Sequence, residues 1–337
     1  MMLVRLVTRV STLQPGFTPR AVKSKCALAL LMMSHRHALV RFMGRMTTAL
    51  GPQWRQRMGD DALGMVQWPY ISSAWSVAQR LDAVASHFEV VTAQAPGLLV
   101  TGRDERRVLC DLGDHSPACS LVLDRPIWFK REGELVLNLF QGDLRVASLA
   151  FTLCRDANTL TLFIGAVQGI HKGIDSETSL SIYRDLTKHF EGLRPRSLVL
   201  EALKCLARSL SVDRILAVSD RCRHHRHPYF GADTARELAA DYDAIWQEHG
   251  AQPTPCNGFF ELPLVAAQRA DSDIPAKKRA MYRRRQALLD DVFTRMHEAL
   301  AGAAGNHELQ ELQELQGDAC AGHASAVDAP PLTEGRS

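Results

Sequence analysis

The stretch from Asn158 to Asp220 constrains the fold more than any other part of the chain. Leu160–Val167 is apolar on both faces of the pleat, as a strand covered on both sides must be, and Gln168-Gly169 ends it. Ser176–Phe190 then places Leu180, Tyr183, Leu186 and Phe190 at helical spacing. Gly192-Leu-Arg-Pro-Arg turns the chain into Ser197–Leu210, apolar nearly all round, and Arg214–Val218 reads as a second strand. A strand that returns after a buried helix predicts an α+β fold with a mixed sheet, not a pure meander.

The flanking sequence fits around this unit. Residues 1–87 read as a helical N-terminal region, in which Met32, His35, Leu39 and Met43 recur on one helical face. Trp68-Pro69-Tyr70-Ile71 is a break, since the residue before a proline is pushed toward extended geometry. Ser72 or Ser73 is the expected cap of a helix running through Trp75, Gln79, Arg80 and His87. Residues 88–265 form the central mixed-sheet domain. Its expected strands are Glu89–Thr92, Leu98–Thr101, Val108–Leu112, Leu121–Leu123, Glu134–Phe140, Leu144–Leu153 and Leu160–Val167, mostly antiparallel. Leu135, Leu137 and Leu139 alternate with Glu134 and Asn138, a half-buried pattern. Thr234–His249 reads as a helix closed by Gly250, and Phe259–Leu262 as a short strand. Residues 266–300 carry a basic helix opened by Pro275, and the Ala/Gly/Pro-rich segment 301–337 reads as a disordered tail.

Composition bounds the rest. A chain of 337 residues with 46% hydrophobic and 23% charged residues can bury a full core. A formal net charge of +3 is too small for a dedicated nucleic-acid binder, whose affinity comes from dense phosphate neutralisation. The eight cysteines form no Cys-x-x-Cys pair and read as reduced, mostly buried thiols in a cytoplasmic protein. Basic residues before Cys26–Met33 imitate a signal peptide. The run is short, however, and lacks a small-residue cleavage site, so a core-facing helix is expected, with room for peripheral contact with an anionic inner-membrane surface.

Several segments resemble the VirK/YbjX family of bacterial proteins. They are Trp68-Pro-Tyr-Ile, Gln79-Arg80-Leu81, His87, Ile164-Gly-Ala-Val-Gln-Gly, Gly192-Leu-Arg-Pro-Arg, His227-Pro, Asp241-Tyr-Asp-Ala-Ile-Trp-Gln-Glu, Gly258-Phe-Phe-Glu-Leu-Pro and Lys277-Lys-Arg-Ala-Met-Tyr-Arg-Arg-Arg. This resemblance implies a setting in envelope maintenance, virulence or antimicrobial-peptide resistance, with an envelope- or lipid-related substrate, and implies no reaction. The central stretch also resembles the core of GNAT-type acyltransferases. There a loop at a helix N-terminus holds the pyrophosphate of an acyl donor, acyl-CoA or acyl-carrier protein, by free N–H groups and the helix dipole. In this chain an extra helix follows Gln168-Gly169, and Pro195 stands where glycines are usual.

The resemblance places donor phosphates at Arg194, Arg196 and Ser197, with Lys277 and Arg279 of the basic helix as further phosphate contacts. Gln168, at the strand end, suits positioning of an acyl carbonyl, and Tyr229 or Asp241 suits proton transfer. Each has a plainer alternative: an exposed loop at Arg194–Ser197, a strand-ending turn at Gln168, and Asp241 pairing with the basic helix. His224, His225 and His227 invite a metal, but neighbouring arginines repel a cation, and no metal is expected. The alternative to an enzyme is a non-catalytic envelope protein that binds a partner or anionic lipid through its basic helix.

Overall fold

The computed structural model describes residues 10–11, 13–14, 16–100, 102, 105–116, 118–126, 130–230, 240–254, 258–265 and 274–324, with side chains to residue 302 except those of 20 and 57. It is an α+β fold built on one eight-stranded sheet: β1 Arg106–Asp111, β2 Cys119–Asp124, β3 Leu135–Gln141, β4 Leu144–Asp156, β5 Thr159–Gln168, β6 Arg214–Val218, β7 Gln252–Pro253 and β8 Phe259–Leu262. The spatial order is β1-β2-β3-β4-β5-β6-β8-β7. The pairing of β5 with β6 is parallel and the others are antiparallel. β5 therefore lies inside the sheet, as its two apolar faces require.

The N-terminal region is helical. Helix α1 (Pro19–Ser34) starts where the Thr18 hydroxyl accepts the Ala21 N–H. It stops at His35, and α2 (Arg36–Leu50) follows, so the expected apolar stripe is broken across two helices. A short helix α3 (Trp54–Met58) leads to α4 (Val77–Gln94). The cap of α4 is Ser76, which shares a capping box with Gln79; neither Ser72 nor Ser73 fills that position. Glu89–Thr92, expected as a strand, is the last turn but one of this helix. Its β-branched residues favour a strand locally, but Val90 and Val91 are buried on the helical face that meets the core, and packing overrides propensity. Leu98 closes a short 3-10 turn where a strand was expected.

The crossover from β5 to β6 runs through α5 (Ser176–His189) and α6 (Pro195–Ser209). Helix α6 packs on β3, β4 and β5, which explains its apolar circumference. Strand β3 departs from the half-buried expectation: Asn138 is buried, its amide donating to the Val122 and Val136 carbonyls while its oxygen accepts the Ser148 hydroxyl. Helix α7 (Tyr242–Glu248) is shorter than the expected Thr234–His249, of which 234–239 lie outside the described residues. Helix α8 spans Ala276–Ala324, past the predicted end at residue 300 and into the segment read as a disordered tail. Residues 325–337 of that tail lie outside the described residues.

Candidate functional site

Strands β5 and β6 part company at one end. Their paired residues run from Thr161 and Arg214 to Ile164 and Ala217, although β5 continues to Gln168. Gly165 is the extra residue of a bulge, because Phe151 of β4 faces Ile164 while Ala150 faces Ala166. A Cβ at Gly165 would lie 2.0 Å from the Glu132 carbonyl oxygen, so only glycine permits the close approach of the 130–134 segment. Helix α7 fills the resulting gap. The Tyr242 hydroxyl accepts the Val167 N–H at 3.1 Å and donates to the Val167 carbonyl at 3.2 Å. Trp246 Nε1 donates to the Val218 carbonyl at 2.8 Å. One aromatic thus satisfies the open edge of β5 and the next that of β6.

A groove of about 630 Å³ opens beside this plug, lined among others by Gln168, Tyr183, Arg184, Lys188, Arg194 and Arg196. Pro195 occupies the first turn of α6, where its missing N–H costs nothing. Arg194, the N-cap residue, makes no capping bond through its side chain, which is instead directed to Glu248 on α7. Arg194 meets Glu248 at 2.7 Å and Arg196 meets it at 3.4 Å, so one carboxylate tethers both guanidinium groups. Ser197 is buried, with its hydroxyl 3.5 Å from His249 Nε2. The structure therefore gathers Gln168, Arg194 and Arg196 around one groove.

The other predicted residues lie elsewhere or serve the fold. Asp241 caps α7, its carboxylate accepting the Ala244 N–H at 3.0 Å. On α8, Arg279 donates to the Ile274 carbonyl, and neither it nor Lys277 lines the groove. The arginines of α8 that reach the crossover are Arg284, paired with the Glu191 carboxylate, and Arg285, which donates to the Glu191 carbonyl. Tyr229 stands at a second centre, where the Arg131 guanidinium lies 4.8, 5.3 and 5.2 Å from the rings of Trp68, Tyr229 and Phe230.

That centre was legible in the sequence only through Tyr229 and its histidines; Glu132 and Arg131 carried no signal. Glu132, only 3% exposed, lies beside His224, 4% exposed, and the half-buried His225. Glu132 Oε1 is 3.5 Å from His224 Nδ1 and 4.0 Å from His225 Nδ1. None of these three atoms has a hydrogen-bond partner among the described residues. An orphaned buried polar atom costs about 1–3 kcal/mol, so three at one point are a conspicuous expense. Burial pushes the Glu132 carboxyl up to about 8, opposed by the charge of Arg223. It pushes His224 down to about 2 and His225 down to about 4, helped by Arg131 and Arg223. His227 is turned away, with its Nε2 3.3 Å from Arg80.

The same 130–134 segment forms one wall of a second cavity, of about 570 Å³, lined also by Met58–Ala62, Met65, Trp68 and Arg125. Glu134 is buried in that wall, and burial lifts its carboxyl to about 7 against the pull of Arg125. Its backbone N–H donates to the Thr152 hydroxyl, which also bonds the Tyr70 hydroxyl at 2.6 Å. A carboxyl poised near neutrality on a cavity wall suits general acid–base work.

With the geometry in hand, comparison with known proteins gives relatives but no reaction. An uncharacterised protein, YbjX, of Escherichia coli (strain K12) is 30% identical over 234 residues, covering 68% of each chain. An uncharacterised protein of Haemophilus influenzae (strain ATCC 51907 / DSM 11121 / KW20 / Rd) is 33% identical over 233 residues, covering 68% of this chain and 73% of its own. No solved structure matches. Residues 18–298 match the family described as "Protein of unknown function (DUF535)", and the chain belongs to that family.

Proposed function

We propose that the chain is an acyltransferase-like enzyme whose donor phosphates sit in the groove at the start of α6. The observation that carries this reading is the meeting of Gln168, Arg194 and Arg196 at the place where β5 and β6 stop pairing. Among the described residues β5 and β6 are the one parallel pair, and they stop pairing after Ile164 and Ala217, which fits the acyltransferase resemblance. A donor's anionic phosphates would displace Glu248 from Arg194 and Arg196, taking over two charge-assisted contacts near a helix N-terminus. Its acyl end would follow the last residues of β5 toward the gap.

In this reading α7 is a gate, because Tyr242 and Trp246 occupy the gap the acyl group must reach. Calorimetry against acyl-CoA and acyl-carrier-protein donors tests the proposal. Saturable binding weakened at least tenfold in the Arg194→Ala/Arg196→Ala variant, the scale of losing one charge-assisted contact of about 1.5–3 kcal/mol, supports it. Absence of binding, or binding indifferent to both substitutions, overturns it.

A separate observation favours a second reading: docking on an anionic bilayer through α1. The first 59 residues hold ten Lys/Arg and no Asp or Glu, so on a formal total of +3 the remainder carries −7. Val22, Cys26, Leu30 and Met33 form an exposed stripe along α1, extended by Phe17 and Val40. Among the described residues no helix is long and apolar enough to cross a membrane. Flotation with phosphatidylglycerol vesicles that is lost at high salt and in Leu30→Glu/Met33→Glu supports this reading. Equal flotation on neutral vesicles, or flotation unaffected by that variant, refutes it.

A further inference from the structure

We infer that Glu132, His224 and His225 form a binding site for a divalent transition metal ion of the zinc class. The inference does not rest on the acyl-transfer reading. Two imidazole nitrogens and one carboxylate oxygen converge, with one donor atom from each residue within 4.8 Å of the other two. Donors bound to one ion at about 2.0–2.2 Å in tetrahedral geometry sit roughly 3.4 Å from each other. The separations of 3.5 and 4.0 Å from Glu132 Oε1 to the two Nδ1 atoms thus need only a small contraction. The three atoms that face one another are the same three that lack hydrogen-bond partners among the described residues. Around them Arg80 donates to the Trp68 and Trp75 carbonyls, and Arg223 to Asp220 and the Ala240 carbonyl, while Arg223 Nε, Ser219 Oγ and Trp68 Nε1 also lack partners among the described residues. Two imidazole nitrogens and a carboxylate oxygen that converge on one point without partners are what a metal ion resolves.

The donor set selects the ion. Imidazole nitrogen favours zinc, iron, cobalt or nickel over calcium or magnesium, which take oxygen ligands. Three protein ligands leave positions open, the arrangement of a reactive centre more than of a structural one. Position in the fold agrees with this. Glu132 is held against Gly165 at the bulge of β5, and His224 and His225 open a 3-10 turn on the segment that follows β6, so the site joins the segments next to the two parallel strands. The nearby arginines are partly compensated. Asp220 pairs with Arg223 and Arg226, and the Arg131 guanidinium is spread over three aromatic faces. Arg131 then provides a counter-charge for an anion entering an open position, so metal and anion should bind together.

The test loads full-length, chelator-stripped protein with Co²⁺ or Zn²⁺ alone and measures stoichiometry by elemental analysis, affinity by calorimetry, and ligand type by the Co²⁺ absorption spectrum. The expected result is one equivalent with a nitrogen/oxygen spectrum. Affinity should fall in both Glu132→Gln and His225→Ala by at least the ~10–100-fold that even an outer-shell partner is worth. His227→Ala should bind as the parent does. His225 is only half-buried, so its variant remains informative if Glu132→Gln fails to fold. Weak, unsaturable uptake, a thiolate charge-transfer band, or unchanged affinity in folded His225→Ala would each overturn the inference.

Discussion

Replacing Tyr242 with Phe tests how the gap between β5 and β6 is closed. The substitution keeps the ring, and with it the Arg223 guanidinium 3.7 Å above it and the edge contact with Trp246 at 5.6 Å. It removes one hydroxyl that serves two buried backbone groups, the Val167 N–H and the Val167 carbonyl. Each group left unsatisfied costs about 1–3 kcal/mol, and partial relaxation toward the neighbouring groove lowers the sum, so a loss of about 2–4 kcal/mol follows. Equilibrium urea unfolding reads this as a shift of the midpoint at constant slope. Hydrogen exchange offers a local check, since the Val167 amide should lose protection before the β4–β5 amides do. A loss below about 0.5 kcal/mol, with Val167 still protected, would show that the hydroxyl does not seal the strand, and the gate argument would fail with it.

Other outcomes follow from the same structure. His87 is buried and accepts the Leu153 N–H through Nδ1, and burial depresses its pKa to about 3. The unfolded chain therefore binds the extra proton first, and the stability is present above the unfolded value of about 6.5 and lost as pH falls toward 3. Between about pH 6.5 and about pH 5, parent protein should lose about 2 kcal/mol relative to His87→Gln; parallel curves would refute the assignment. Gly165→Ala should unfold the chain or lower its melting point steeply, because the added carbon meets backbone at 2.0 Å; near-parental melting would show that the 130–134 segment moves freely. Glu191→Ala should cost no more than about 1 kcal/mol in denaturant unfolding, since its pair with Arg284 is largely exposed; a larger loss would make the pair an anchor for α8.

The strands around the crossover were legible because their chemistry is local. Arg214–Val218 and Phe259–Leu262 begin and end where the sequence predicts, each bounded by polar or turn residues. The groove was partly legible too, since Gln168 and Arg194 stand at the two ends of α5 and its turns, in one crossover. Glu89–Thr92 was misleading because its propensity and its burial point to different structures. Glu132 carried no signal: it sits in Lys-Arg-Glu-Gly-Glu, an ordinary polar turn, and its histidine neighbours come more than ninety residues later. Only the approach of two loops at the glycine bulge brings them together. The expectation of no metal rested on the arginines beside His224 and His225 and did not take Glu132 into account.

The plug formed by α7 also sets an order of events during synthesis. Val167 and Tyr242 are 75 residues apart, so β5 leaves the ribosome long before the helix that covers its end. Until Tyr242 and Trp246 emerge, the nascent sheet carries a bare strand edge at its centre, beside some of its most apolar sequence. A nascent chain in that state is prone to pair with a neighbour or to recruit a chaperone. Chains truncated before Asp241 should accordingly collect in aggregates, whereas chains ending after β8 should remain dispersed.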